Sequence, residues 1–138
     1  VPRLQQKAKM LNLNNVLFFD EIHPDEIPDL YEQCTVGIVA LHPKHNSHNI
    51  PGKFITYMQS GLPVLANVNT GNDLADLIRM EQVGEACENN LLTDLHRHAE
   101  QLLINEKQND YAEKCQRLFA EKFSVESAAK QIVIALAP

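Results

Sequence analysis

The sequence is short of the features that mark several common protein classes. Its three cysteines, Cys34, Cys87 and Cys115, are odd in number and far apart, with no paired CxxC spacing. They read as free thiols of a reducing compartment. Positive charge is in deficit: 12 Lys and Arg against 18 Asp and Glu give a formal charge of −6. That balance argues against a general binder of nucleic acid or of an anionic membrane. No apolar run approaches the roughly 20 residues that a membrane span needs. Nor is there a GxSxG nucleophile elbow, an internal repeat, a low-complexity tract or a linker. Initiator Met and signal peptide are both absent, and the opening VPRLQQKAKMLNL reads as the end of a helix, so a piece of a larger protein is expected.

What is present suits one cored domain spanning 1–138, with 44% hydrophobic and 22% charged residues. Three apolar runs, VLFF (16–19), VGIVAL (36–41) and PVLANV (63–68), predict buried strands, and residues 84–87 predict a fourth, weaker one. Between them Ile27, Leu30 and Tyr31, then Leu74, Leu77 and Ile78, recur at helical spacing. From Leu91 onward the pattern is helical throughout, through Leu92, Leu95, Ala99, Leu102 and Leu103 and then Tyr111, Cys115, Leu118 and Phe119. Ser124 is placed to cap a last helix carrying Val125, Ala128, Ala129, Ile132, Val133 and Leu136. Strands alternating with helices imply βαβ units. The expected fold is α/β, a Rossmann-like parallel sheet flanked by helices, with a helical C-terminal end.

One stretch stands apart, HPKHNSHNIPGKFITYMQSGLPV, residues 42–64. Open parallel sheets hold ligands where the carboxyl ends of strands lead into helices, and this loop follows the strand at 36–41. Asn49-Ile50-Pro51-Gly52-Lys53 has the chemistry of a helix start: Asn49 can cap, Pro51 loses nothing near the first turn, and Gly52 admits a ligand to the backbone. An anion there is favoured by ~0.3–1 kcal/mol when exposed, before the full charge of Lys53 is added. Between Glu32 and Asp73 no acidic residue occurs, so carboxylates are kept away from one strand, one loop and one helix. Anion binding follows.

A metal is not expected. His42, His45 and His48 sit in a loop broken by Pro43, with no nearby Cys, Asp or Glu to complete a set. His23, His96 and His98 are given no functional role, and Ser47 beside His48 does not make a triad. With no carboxylate pair at the site, no catalytic residue is nominated in this stretch of chain.

The residues also carry a resemblance. VLFFDEIHPDEIPDLYEQCTVGIVAL resembles a strand–helix–strand segment of the GT-B glycosyltransferases, PGKFITYMQSGLPVLANVNTGNDLADLI resembles their adjoining donor-site segment, and KFSVES resembles the start of a late helix. The likeness runs from about Asn15 to the end and leans toward bacterial retaining transferases of lipopolysaccharide O-antigen and capsule synthesis, including N-acetylfucosamine transferases. It implies the C-terminal donor-binding domain of such an enzyme, holding a UDP- or GDP-sugar, UDP by preference, with no metal or other cofactor. It implies that His48, Asn49, Pro51, Gly52 and Lys53 lie against the diphosphate and sugar, and that Asp20, Glu21 and Ile22 border the base. Where many relatives carry two glutamates, for the donor sugar and the ribose, this sequence has His48 and Thr56. The sugar contact falls to His48 or Asn49, and the ribose to Thr56. Implied partners are an N-terminal acceptor-binding domain of the same protein and a lipid-linked glycan acceptor, at the cytoplasmic face of a bacterial inner membrane. The family's diphosphate-clamping Arg and Lys belong to a strand–helix unit that would precede Val1, so this chain alone is expected to be inactive.

Two other readings compete. Half of a nucleotide-sugar 2-epimerase-like enzyme shares the fold but needs catalytic carboxylates. A flavodoxin-like interaction or receiver module needs an acidic cluster at a strand end to hold a divalent ion, for which Asp20 and Glu21 are the candidates.

Overall fold

A computed structural model describes residues 2–42, 50–105 and 110–136. In order these form α1 (Pro2–Met10), a 3-10 turn (Pro24–Glu26), α2 (Ile27–Glu32), β1 (Gly37–Ala40), α3 (Gly52–Gln59) and β2 (Val64–Asn67). Then come α4 (Asp73–Glu81), β3 (Gly84–Cys87), α5 (Leu92–Asn105), α6 (Tyr111–Leu118), a π-turn (Phe119–Phe123) and α7 (Val125–Leu136). The strands make a three-stranded parallel sheet in the order β1-β2-β3, flanked by helices, so the α/β expectation and the helical C-terminal end hold. Among the described residues no helix is long and apolar enough to cross a membrane.

Register assigns the two faces. Gly37 aligns with Val64 and Gly84, and Val39 with Ala66 and Ala86, so these six share one face. Val39, Val64, Ala66 and Ala86 of that face enter the main core with Phe54, Met58, Leu74, Ile78, Cys115 and Leu118. On the opposite face Leu65 packs with Leu102 and Tyr111. Fully burying one such aliphatic or aromatic side chain is worth about 1.5–3 kcal/mol.

Helix α3 is the element that matters for the site, and its apolar spacing seats it. Phe54, Tyr57 and Met58 lie at i, i+3 and i+4 and are all buried. Phe54 meets Phe123 edge-on at 6.2 Å, and Tyr57 meets Tyr31 at 5.0 Å. A side chain at Gly37 would put its Cβ 2.6 Å from the Tyr57 ring, so only glycine lets α3 lie this close to β1. Burial, with the neighbouring Tyr31 second, pushes the Tyr57 phenol up to about 12.

Two strand expectations need correction. Residues 16–19 are not a strand but irregular chain, with Val16, Leu17, Phe18 and Phe19 all exposed. A parallel strand needs ladder partners and a covered face, and among the described residues this run has neither. Strand β1 is shorter than the expected 36–41 and is buried on one face only, with Ile38 on the other face 58% exposed. Strand β3 spans the expected residues, and β2 is buried on both faces. The Ser124 cap is confirmed: its Oγ accepts from Ser127 N–H at 3.0 Å. Leu92 and Leu103, expected in the apolar stripe of α5, are exposed instead, since only one side of that helix meets the sheet.

Candidate functional site at the carboxyl ends of the strands

All three strands deliver their following segments to the same sheet end. Beyond the ladder, Leu41 N–H donates to Asn67 O at 2.9 Å and Val68 N–H to Cys87 O at 3.0 Å, so the three chains leave the sheet in step. The first leads to α3, the second to a turn at 69–72 and α4, the third to residues 88–91 and α5.

At the start of α3, Pro51 is the N-cap residue, extended at φ −64° and ψ 138°, and among the described residues no side chain caps the helix there. The helix therefore begins at Gly52, with Pro51 just outside it rather than in its first turn. Gly52 and Lys53 are exposed, and a Cβ added at Gly52 would meet nothing within 4 Å. The helix start is thus exposed at Gly52 and Lys53, and a helix N-terminus with a lysine beside it favours an anion. Thr56, one turn on, is half-buried and donates its hydroxyl to Gly52 O at 3.0 Å. Pro51, Gly52, Lys53 and Thr56 are therefore brought together by one helix.

Other expected residues are not gathered so closely. Asp20 and Glu21 are exposed and Ile22 half-buried on irregular chain, and among the described residues no hydrogen bond or ion pair ties them to α3. The receiver-type reading also loses its strand end here, because residues 16–19 form no strand. His45, His48 and Asn49 lie outside the described residues; His42 is exposed.

The turn at 69–72 is held by partners that sequence reasoning missed. Asn72 caps α4 by accepting from Leu74 N–H at 3.0 Å and is itself buried. Gly71 N–H donates to Glu88 Oε1 at 2.8 Å, and Thr70 Oγ1 donates to Glu88 O at 3.1 Å. The other Glu88 oxygen takes an ion pair from Arg79 Nη1 at 2.6 Å, while Arg79 Nη2 donates to Ala86 O at 3.2 Å. Burial alone would raise the Glu88 carboxyl, but Arg79 and the backbone N–H groups of Gly71 and Asn72 outweigh it and hold it below the usual glutamate range. The turn reaches the first connection too, since Asn69 Nδ2 donates to His42 O at 3.3 Å.

Farther along the same rim, Asn89 accepts from Leu91 N–H at 2.9 Å and from the Cys87 thiol at 3.1 Å, and it also bonds Asp94. That contact is the main reason the Asp94 carboxyl is lowered, aided by Arg97. At the end of the central strand Asn67 carries a buried Oδ1 with no hydrogen-bond partner among the described residues. Away from this end, His98 Nδ1 lies 2.8 Å from Glu85 Oε2 and ties α5 to β3, a pairing that no local spacing in the sequence signals.

Chemically, the arrangement offers backbone N–H groups and a lysine for an anion, and amide and hydroxyl groups for polar hydroxylated ligands. The acid-free stretch 33–72 does meet one carboxylate, Glu88, but Arg79 neutralises it. A family model described as glycosyl transferases group 1 matches residues 1–121. No curated protein and no solved structure is significantly similar to the chain. With the match covering most of its length and the sheet-end geometry in agreement, the chain belongs to the group 1 glycosyltransferases.

Proposed function

We propose that this domain binds the nucleotide-sugar donor of a glycosyltransferase, and that the donor is a UDP-sugar. The single observation that carries the reading is the start of α3: a helix terminus at Pro51, with no side-chain cap among the described residues, Gly52 exposed and Lys53 beside it, on the connection that follows a parallel strand. In this reading the diphosphate lies against Pro51, Gly52 and Lys53, with His48 and Asn49 toward the sugar and Thr56 toward the ribose. Asp20, Glu21 and Ile22 border the base. Helix dipole and Lys53 take the place of a metal in balancing the diphosphate, so no divalent ion or other cofactor enters the scheme.

The transferred group is a hexose or an N-acetylaminosugar, and the acceptor a lipid-linked glycan of bacterial lipopolysaccharide O-antigen or capsule, met at the cytoplasmic face of the inner membrane. An N-terminal domain of the same protein supplies the acceptor site. Retaining transfer needs leaving-group stabilisation together with an oriented acceptor, so these 138 residues alone bind donor without transferring it.

An amide NMR titration with UDP and with GDP tests the donor site. The expected result is UDP-induced shifts centred on Gly52 to Thr56, weakened about tenfold in a Lys53→Ala chain, the size of one lost charge-assisted contact. Shifts elsewhere, or none with either nucleotide, would sink the reading.

A further inference from the structure

We propose that Glu88, held by Arg79, is a positioning residue that locks the turn at 69–72 into the shape the donor crevice requires. The inference rests on the donor-binding reading above and assigns a regulator of that site which touches no donor itself. Glu88 enters from the connection after β3, while the turn it holds follows β2. One carboxylate oxygen takes Gly71 N–H at 2.8 Å and the other takes Arg79 Nη1 at 2.6 Å. The Glu88 carbonyl takes the Thr70 hydroxyl at 3.1 Å. Residue 88 therefore grips two successive residues of the turn through side chain and backbone at once.

Arg79 is the counterweight. It reaches from the last turn of α4, braces its second nitrogen on Ala86 O at 3.2 Å, and keeps the Glu88 oxygen aimed at Gly71. Gly71 sits at φ +75°, and a Cβ there would meet nothing within 4 Å, so packing holds the turn at buried Asn72 but not at Gly71. There the Glu88 bonds hold it. From the turn, Asn69 reaches His42 O at 3.3 Å, which carries the restraint to the connection that enters α3. A latch on the β3 side thereby holds the turn before α4 and, through Asn69, restrains the chain at His42 where it leaves β1.

Glu88→Ala and Glu88→Gln chains test this, each titrated with UDP and followed by amide NMR. In Glu88→Ala, the Gly71 amide should exchange faster and the Asn69 and His42 amides should shift, while Val64 to Asn67 stay in place. UDP should bind roughly five- to tenfold more weakly, the cost of ordering a loosened turn on binding. Gln keeps an acceptor for Gly71 N–H, so Glu88→Gln should restore the Gly71 protection and most of the affinity. An alanine chain with wild-type affinity overturns the proposal. So does a loss of affinity accompanied by shifts throughout β2, which would mark damage to the sheet. If the unsubstituted chain itself fails to bind UDP, the donor-site reading fails and this inference with it, an outcome distinct from the other two.

Discussion

Leu17 is 74% exposed and Phe19 64%, whereas Val64 and Ala66 of β2 are fully buried. The two runs are comparably apolar, and both sit between polar segments at strand length. Their difference lies in what surrounds them. Strand β2 has β1 on one edge and β3 on the other, with α3 and α4 packed over one face and α5 over the other. Val16, Leu17 and Phe18 share the lining of a cavity of about 550 Å³ with Gln5, Ala8 and Lys9 of α1, and in α1 only Ala8 is buried. Apolar character makes a run eager to be covered. A neighbouring strand on at least one edge and a covered face turn it into a strand, as β1 has with β2 beside it and one face buried.

Substitutions can sharpen or break that comparison. The largest effect belongs to Phe54→Ala under β2, where an edge-on contact with Phe123 and full burial are lost together. A loss of about 3–5 kcal/mol is expected in urea unfolding, and a small loss would mean the core is not centred on β2. Next is Gly37→Ala, whose Cβ would sit 2.6 Å from the Tyr57 ring. Pushing α3 away should remove about 1–3 kcal/mol, and an unchanged midpoint would show that the contact is slack.

Acid comes next. Glu88 has a carboxyl held below its ordinary value in the folded chain, so its contribution is complete above the ordinary glutamate range and disappears as pH falls through the lowered folded value. A pH series of midpoints on wild type and Glu88→Gln should converge at the acid end. Parallel curves down to that end would contradict the ion pair. Smallest of all should be Phe19→Ala and Leu17→Ala, within about 0.5 kcal/mol of wild type. A loss as large as that of Phe54 would show that residues 16–19 are covered in solution, and the comparison would collapse.

Much of the architecture was legible because its causes are local. Periodicity marked α4 and α7, an apolar run marked β2 and a weaker one β3, and Ser124 sat where a helix cap belongs. Pro51-Gly52 announced the start of α3 for the same reason, since the conformational preferences of those residues act on their own backbone. The error at 16–19 arose where a local signal depends on a distant partner. The latch was equally invisible: Glu88 meets Gly71 and Arg79, and neither spacing is a helical or strand repeat.

By itself, then, the sequence determined an alternating α/β chain, the acid-free stretch before Asp73, the helix start at Pro51 to Lys53, and a likeness that the family match bears out at the level of group 1 glycosyltransferases. Tertiary structure alone decided which apolar runs became strands, that Gly37 was needed under Tyr57, and that Glu88 would hold the turn after a different strand. The physical reason is range. Dihedral preference and periodicity act over a few residues, while ladder pairing, ring packing and charge partners are assigned by a register that no short stretch contains.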